Sequence, residues 1–370
     1  MIPRHALIPP SSLVRARAAA LLLGVSGALA PSCAPSPRAA PATISERPVA
    51  PAPRPAPVVP APVILSTELW SFEGKDGVLV RTPSYRVYTT ATRYAVAERV
   101  PVFLERALIH YSTHLADLPR PAEVMETYLM ASRPQWARVT QRVMGRDAEV
   151  YLRIPRGGFA ANGRAILYDI GPSDTFAITA HEGWHQYTQK TFRSPLPVSF
   201  EEGLATYMEG FRWADQERLT PTFLPWKNIE RFEKLRRAHA AGELMPLERL
   251  QQTTPQDIIG DDPDAALVYY AQVWAMIHFL AEGEDGRHRA GLRQLLEDAA
   301  SGDLGRRIRR EAGGRAASSY QLRRTGVDLF PIYFGGSAAE FDASYRAFIA
   351  QVVRVGSRER VVAGRSPITE

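Results

Sequence analysis

The chain has 370 residues, a formal net charge of +6 and a single cysteine, and 45% of its residues are hydrophobic. This composition is ordinary for a globular protein and provides a core for one large or two modest domains. One cysteine excludes a disulfide scaffold and any metal site built from several cysteines. The basic residues are scattered, without a run of five or more, so the charge does not predict a nucleic-acid partner.

The first 33 residues have the pattern of a bacterial export signal. Arginines precede an uncharged run over 18–30, which suits a signal peptide and is shorter than the roughly 20 residues needed to cross a bilayer. The only cysteine, Cys33, follows small and apolar residues as in a lipobox, although Pro31 departs from the usual pattern. We expect a signal peptide over 1–33 and a lipid anchor at Cys33, which would place the protein in the cell envelope, in the periplasm or at the outer membrane. The alternative is ordinary signal-peptidase cleavage nearby.

Residues 34–62 contain ten prolines and eight alanines in 29 positions. Such a segment cannot build a core and favours extended polyproline II, so we interpret it as a disordered tether. The folded domain is expected over 63–355, followed by a frayed tail over 356–370.

Periodicity predicts the secondary structure of this domain in chain order. The first half reads as a hairpin, a helix, a strand, a helix and two further strands: 78–81 with 85–90, 92–116, 124–131, 135–144, 148–154 and 165–170. The second half reads as six helices: 174–190, 200–212, 227–241, 265–281, 292–300 and 338–354. The pattern indicates an α+β fold, with an N-terminal part that mixes a β-sheet with helices and a mainly helical C-terminal part.

The most informative segment is His181-Glu182-Gly183-Trp184-His185, the one H-E-x-x-H sequence in the chain. It lies within the predicted helix 174–190, where residues four apart share one face, so both imidazoles can reach one ion. Glu182 lies about 100° further round the helix and can serve as a general base without being a ligand. Gly183 costs a helix interior about 1 kcal/mol, so its presence here indicates close packing or the close approach of another backbone. Chance alignment of two histidines is the alternative.

A catalytic zinc site needs a third protein ligand and an open position for water. The segment 199–207 offers the adjacent Glu201 and Glu202, followed by Gly203. Ser199 and Glu202 also fit a capping box, in which Glu202 would only complete the hydrogen bonds of its own helix. From the residues alone these readings stay open.

Together the two segments resemble the gluzincin metallopeptidases, whose second helix carries a ligand glutamate in a Glu-Gly-x-Ala-x-Tyr type sequence. With the segments 166–169 and 270–280, the chain is similar over most of 78–352 to secreted bacterial gluzincin-like proteins known as domain of unknown function 1570. The resemblance implies a zincin-like fold with 174–190 as the active-site helix. It also implies one Zn²⁺ per chain, bound by His181, His185 and Glu202.

The chemistry implied is metal-assisted hydrolysis with Glu182 as general base. Gluzincins usually stabilise the oxyanion with a Tyr or His from a later helix, which favours Tyr270 here, with Tyr269, Tyr207 and His278 as alternatives. Some gluzincins orient an imidazole with an acid four residues after the ligand glutamate, but this chain has a threonine there. That role is left open between Glu209 and Asp169.

The strand 165–170 resembles the edge strand along which such enzymes bind extended peptides. Five other aromatic or imidazole side chains are expected to be packing or surface groups: Trp184, Trp213, Trp226, His110 and His114.

These features predict an exported zinc metallopeptidase that acts on a peptide or protein substrate and meets the membrane only through its N-terminal anchor. The main alternative is a non-catalytic or non-peptidase cell-envelope protein with the same metal-binding fold, and a weaker one is a hydrolase of non-peptide amides or esters. Zinc is inferred from the ligand types, and other divalent metals can occupy such sites.

The lipid anchor is testable by metabolic labelling with a clickable fatty acid. We expect the wild-type protein to take up the label and the Cys33→Ala variant to lose it, because the thiol is the attachment point. An unlabelled wild-type protein would contradict the anchor.

Overall fold

A computed structural model describes residues 64–154, 156–215, 220–259 and 263–369. The predicted signal peptide over 1–33, with Cys33, and the predicted tether over 34–62 lie outside the described residues. Within the described residues no helix combines the length and apolar character needed to cross a membrane.

The fold is α+β, with a six-stranded mixed sheet and many helices. The strands in chain order are β1 (Ser66–Phe72), β2 (Lys75–Arg81), β3 (Tyr85–Thr89), β4 (Met125–Met130), β5 (Gly158–Ala161) and β6 (Arg164–Tyr168). Their order across the sheet is β1-β2-β3-β4-β6-β5. The β3–β4 and β4–β6 pairs are parallel, whereas β1–β2, β2–β3 and β5–β6 are antiparallel. A separate two-stranded ribbon contains β7 (Phe211–Asp215) and β8 (Thr220–Phe223).

The predicted hairpin is confirmed, since Val78 pairs with Thr89 across β2 and β3. The strand predicted over 165–170 forms as β6, but it lies one position inside the sheet, and the edge is the antiparallel β5. Residues 158–161, which lie between two predicted strands and were not assigned to either, pair with β6. Glycines next to a short strand can thus hide the sequence pattern by which the strand would be recognised.

The strand predicted over 148–154 is wrong, because this segment forms a short helix, α4. Its buried residues, Ala148 and Tyr151, are three apart and therefore share one helical face. Tyr151 stacks on Phe159 of β5 at a centroid distance of 4.1 Å, which accounts for its burial.

Sixteen helices occupy the described residues. They are α1 (Tyr94–Ala97), α2 (Val100–Thr113), α3 (Arg133–Met144), α4 (Ala148–Leu152), α5 (Pro172–Thr191), α6 (Val198–Met208), α7 (Ile229–Ala241), α8 (Leu247–Gln252), α9 (Pro255–Ile259), α10 (Pro263–Gly286), α11 (Arg289–Ser301), α12 (Leu304–Ala312), α13 (Gly314–Arg323), α14 (Leu329–Phe334), α15 (Ala338–Val352) and α16 (Ser357–Val362). All six helices predicted after residue 170 are present, but the one predicted over 200–212 ends at Met208, and β7 begins at Phe211. The dihedral angles of α10 leave the helical range at 283–285.

The tail over 356–370 was expected to be frayed, and the structure corrects this. Residues 357–362 form α16, and Val361 is fully buried within the main core. The side chain of Lys227 also donates to the carbonyl of Val362 at 3.0 Å. Composition at a chain end did not reveal this anchoring, because it depends on a partner more than a hundred residues away.

Helix α5 lies at the centre of the fold, packed against α2, α6 and the β5–β6 end of the sheet. Helices α6 and α10 approach closely because Gly203 carries no side chain. A Cβ at this position would lie 2.8 Å from the carbonyl oxygen of Val273 and 2.9 Å from Ile277. The position of α6 against α10 therefore depends on a glycine.

We expect Gly203→Ala to lower the free energy of unfolding by about 1–3 kcal/mol, because overpacking against a backbone carbonyl cannot be relieved by a rotamer change. Chemical denaturation monitored by circular dichroism measures this loss. The control is Gly305→Ala in α12, where a Cβ would meet only Tyr320 at an ordinary 3.6 Å. Equal stability of the two variants would contradict the packing account.

Candidate metal centre

The local sequence begins α5 sharply. Gly171 has a φ of +102° and Pro172 follows at the first helical position, as the sequence pattern requires. The carboxylate of Asp169 accepts from the Gly171 N–H at 2.9 Å. The helix then continues through Thr191, which confirms the predicted helix 174–190 and places both motif histidines on one face.

Three side chains converge at this face. The Nε2 atoms of His181 and His185 are 3.3 Å apart, and Glu202 Oε2 of α6 lies 3.4 Å and 3.5 Å from them respectively. A tetrahedral ion with ligand bonds of about 2.0–2.1 Å has ligand atoms separated by about 3.3–3.4 Å. The three donor atoms therefore have the spacing of three corners of a tetrahedral zinc site, which makes this group fit a divalent metal.

The capping-box interpretation of Glu202 does not hold. Helix α6 begins after Pro197, so Ser199 lies inside its first turn and not at the cap. The Ser199 hydroxyl donates to Gln251 Oε1 at 2.6 Å instead. The Glu202 carboxylate is therefore free of the helix end and faces the histidines.

The rival ligand Glu201 lies on the other side of the His185 ring. His185 Nδ1 donates to Glu201 Oε1 at 3.0 Å, and the Thr188 hydroxyl donates to the same oxygen at 2.7 Å. A carboxylate at Nδ1 fixes the tautomer that leaves the Nε2 lone pair for a metal. Sequence reasoning missed this role, although two adjacent acids in one helix could have suggested one ligand and one orienting group.

His181 is oriented in the same way by Glu209, one of the two acids left open by the sequence. His181 Nδ1 donates to Glu209 Oε1 at 2.8 Å. Asp169, the other candidate, pairs with Arg93 at 2.9 Å and serves the start of α5. Both imidazoles therefore point Nε2 toward Glu202, and one helix with its C-cap residue supplies all three carboxylates.

Charge reinforces this arrangement. Burial disfavours protonation of His181, but the hydrogen bonds that its imidazole donates to the carboxylates of Glu202 and Glu209 outweigh burial and raise the His181 pKa to about 9. Burial would raise the Glu209 pKa, but Arg231 and His181 hold it at about 2. The pKa of Glu202 is likewise lowered by His185 and His181, against its burial. The surroundings thus favour positive charge among these groups, which a bound cation would supply.

Glu182 stands beside this group without belonging to it. It is 8% exposed, and burial raises the pKa of its carboxyl, with His181 and His185 acting in the opposite direction. The backbone N–H of Ala160 in β5 hydrogen-bonds to the same carboxylate. Ala160 of the edge strand therefore lies beside the predicted general base.

The candidates for the oxyanion donor separate clearly. The Tyr270 ring lies 6.2 Å from the His181 ring, centroid to centroid. Tyr269 is adjacent and fully buried, and its hydroxyl has no hydrogen-bond partner among the described residues.

The other two candidates for the oxyanion donor contact residues elsewhere. The Tyr207 hydroxyl is 3.1 Å from His114 Nε2, and His278 is stacked on Trp226 at 3.6 Å within the core. Tyr270 and Tyr269 are thus the candidates nearest to the site.

The remaining sequence expectations concern packing. A Cβ at Gly183 would lie 2.7 Å from the Tyr111 hydroxyl, which itself donates to the Ala180 carbonyl at 2.7 Å. The close packing inferred at Gly183 is therefore confirmed. The three tryptophans and two histidines expected to be packing groups lie against aromatic neighbours: Trp184, Trp213, Trp226, His110 and His114.

Comparison with known proteins adds no family assignment: neither a scan against protein-family models nor a search of curated proteins gives a match for this chain. The function is therefore inferred from the site itself.

Orientation of His185 by Glu201 predicts an effect on metal affinity. We expect Glu201→Gln to weaken Zn²⁺ binding about tenfold, because a neutral amide supports the imidazole less strongly. Competition against a chromophoric chelator measures the affinity. The matched control is Glu123→Gln, which removes an exposed ion pair with Lys190. Wild-type affinity in Glu201→Gln would contradict the assigned role.

Proposed function

We propose that this protein is a zinc-dependent metallopeptidase with a zincin-like fold, in which His181, His185 and Glu202 bind one metal ion. The observation that carries the proposal is the tetrahedral spacing of the three donor atoms, 3.3 to 3.5 Å, beside a buried carboxylate that is not a ligand. A purely structural metal site has no need of such a carboxylate. The likeness to gluzincins and to domain of unknown function 1570 remains part of this proposal.

A bound divalent metal supplies a water of lowered pKa and polarises the substrate carbonyl. Glu182 accepts the proton of the attacking water and donates it to the leaving amine. Its raised pKa suits this exchange, because a carboxyl that is too acidic holds a proton poorly. The Tyr270 hydroxyl is proposed to donate to the developing oxyanion.

The substrate is proposed to be a peptide or protein, although helix α5 covers the outer edge of β5. The carbonyl of Ala160 accepts from Gln189 Nε2 at 3.2 Å, and its N–H serves Glu182. These outward backbone groups are already occupied by α5. Strand alternation places the outward groups of Gly158 on the same edge, and Gly158 is buried, so these residues of β5 leave no free pairing groups for a substrate strand.

The protein is further proposed to be exported and attached at Cys33 to the cell envelope, with the domain reaching its substrate on the tether over 34–62. The sequence pattern at the N-terminus supports this location. No nucleic-acid partner is proposed, since the basic residues form no run.

Substitution of the proposed base, Glu182, distinguishes a loss of metal binding from a loss of catalysis. We expect Glu182→Gln to retain one zinc per chain and to lose about 10²–10⁴-fold in peptide hydrolysis, because the amide cannot accept the proton. Proteomic cleavage profiling against the wild type measures hydrolysis, and elemental analysis measures the metal. Glu123→Gln serves as the control that keeps full activity.

Cleavage that survives in Glu182→Gln would contradict the assigned base. A wild-type protein that binds zinc but shows no Glu182-dependent cleavage would instead favour a non-catalytic cell-envelope protein.

A further inference from the structure

The first turn of α7 is built over the carboxylate that orients His181. Arg231 donates to Glu209 through Nη2 at 2.9 Å and through Nε at 3.3 Å, one bond to each carboxylate oxygen. Asn228 donates to the same carboxylate at 2.6 Å, while its own oxygen caps α7 by accepting from the Arg231 N–H. Glu209 is thus held at a helix N-terminus, where its negative charge is favoured.

The same guanidinium also contacts the proposed oxyanion donor. Its central carbon lies over the Tyr270 ring, 5.4 Å from the centroid. The side chains of Arg231 and Glu209 are only 15% and 8% exposed, so solvent screens these interactions little. Arg231 therefore touches two groups that flank the metal site from different helices, α6 and α10.

Arginine is the side chain that can hold both groups at once. Its planar fork matches a carboxylate with two parallel hydrogen bonds, and its flat face packs on an aromatic ring. Lysine keeps the charge but offers neither the fork nor the face. We therefore expect that lysine at residue 231 cannot replace arginine, although it carries the same charge.

We propose that Arg231 is a positioning residue that fixes His181 through Glu209 and fixes Tyr270 through its ring. The Tyr270 part rests on the proposed function, whereas the His181 part requires only that the site binds metal. The two parts have separate measurements, so failure of the peptidase proposal does not decide the first part.

The test compares Arg231→Lys with Arg236→Lys in the full chain. Arg236 lies on the same helix and forms an exposed ion pair with Glu233, so its substitution controls for changes in α7 itself. We expect Arg231→Lys to weaken Zn²⁺ binding about tenfold in chelator competition, with no change in Arg236→Lys. Glu209→Gln should weaken binding similarly, and the double variant Glu209→Gln with Arg231→Lys no further, because both act through one contact.

The proposed positioning of Tyr270 by Arg231 is tested by measuring kcat and KM for peptide hydrolysis at saturating zinc. We expect Arg231→Lys to lower kcat about tenfold with KM little changed, and to add little to the loss in Tyr270→Phe. Zinc affinity and kcat both within twofold of wild type in Arg231→Lys would overturn the proposal. If Arg231→Lys does not fold, Glu209→Gln with Arg231 intact decides the His181 part, and unchanged zinc affinity in it would overturn that part.

Discussion

The arrangement of the site depends on how α5 and α6 pack against each other. Helix α5 supplies the two imidazoles, and α6 with its C-cap residue supplies the carboxylates that complete and orient the donor group: Glu201, Glu202 and Glu209. A separation of 3.3 to 3.5 Å between the donor atoms leaves little freedom in the relative placement of the helices. A shift of one helix along the other would separate the ligands and misplace the orienting carboxylates together.

The packing that maintains this register relies on two glycines and a buried polar network. Gly183 admits the Tyr111 hydroxyl against α5, and Gly203 admits the backbone of α10 against α6. Buried carboxylates are costly unless they are paired and hydrogen-bonded. Glu209 meets this requirement through hydrogen bonds with His181, Asn228 and Arg231. The contacts through which Glu209 orients His181 therefore also compensate for the burial of the Glu209 carboxylate.

Much of the site was predictable because its signals are local. The His181 and His185 pair follows from helical periodicity within five residues, and the Glu202 segment lies on the next helix. The helix predicted over 174–190 lies within α5, which spans Pro172–Thr191. Where the signal was ambiguous, as for Glu209 against Asp169, the sequence could name the candidates but could not choose, since the choice depends on the direction in which α6 ends.

The rest was not predictable because it depends on distant segments. Arg231 is 22 residues from Glu209, and nothing in its helix distinguishes it from Arg236. The edge strand β5 is short and rich in small residues, so it lacks the alternation that reveals a strand. The helix at 148–152 was assigned wrongly because it packs on β5, a strand that the sequence did not reveal. The tail was assigned wrongly because the residue that anchors it lies more than a hundred positions away.

The most direct test of the central claim is the zinc K-edge absorption spectrum of the zinc-loaded full chain. The account predicts two imidazole nitrogens and light oxygen ligands at about 2.0–2.1 Å in a four- or five-coordinate site. The imidazole contribution should fall by half in His181→Ala. A spectrum of zinc surrounded by oxygen ligands alone, unchanged in His181→Ala, would contradict the proposed metal centre.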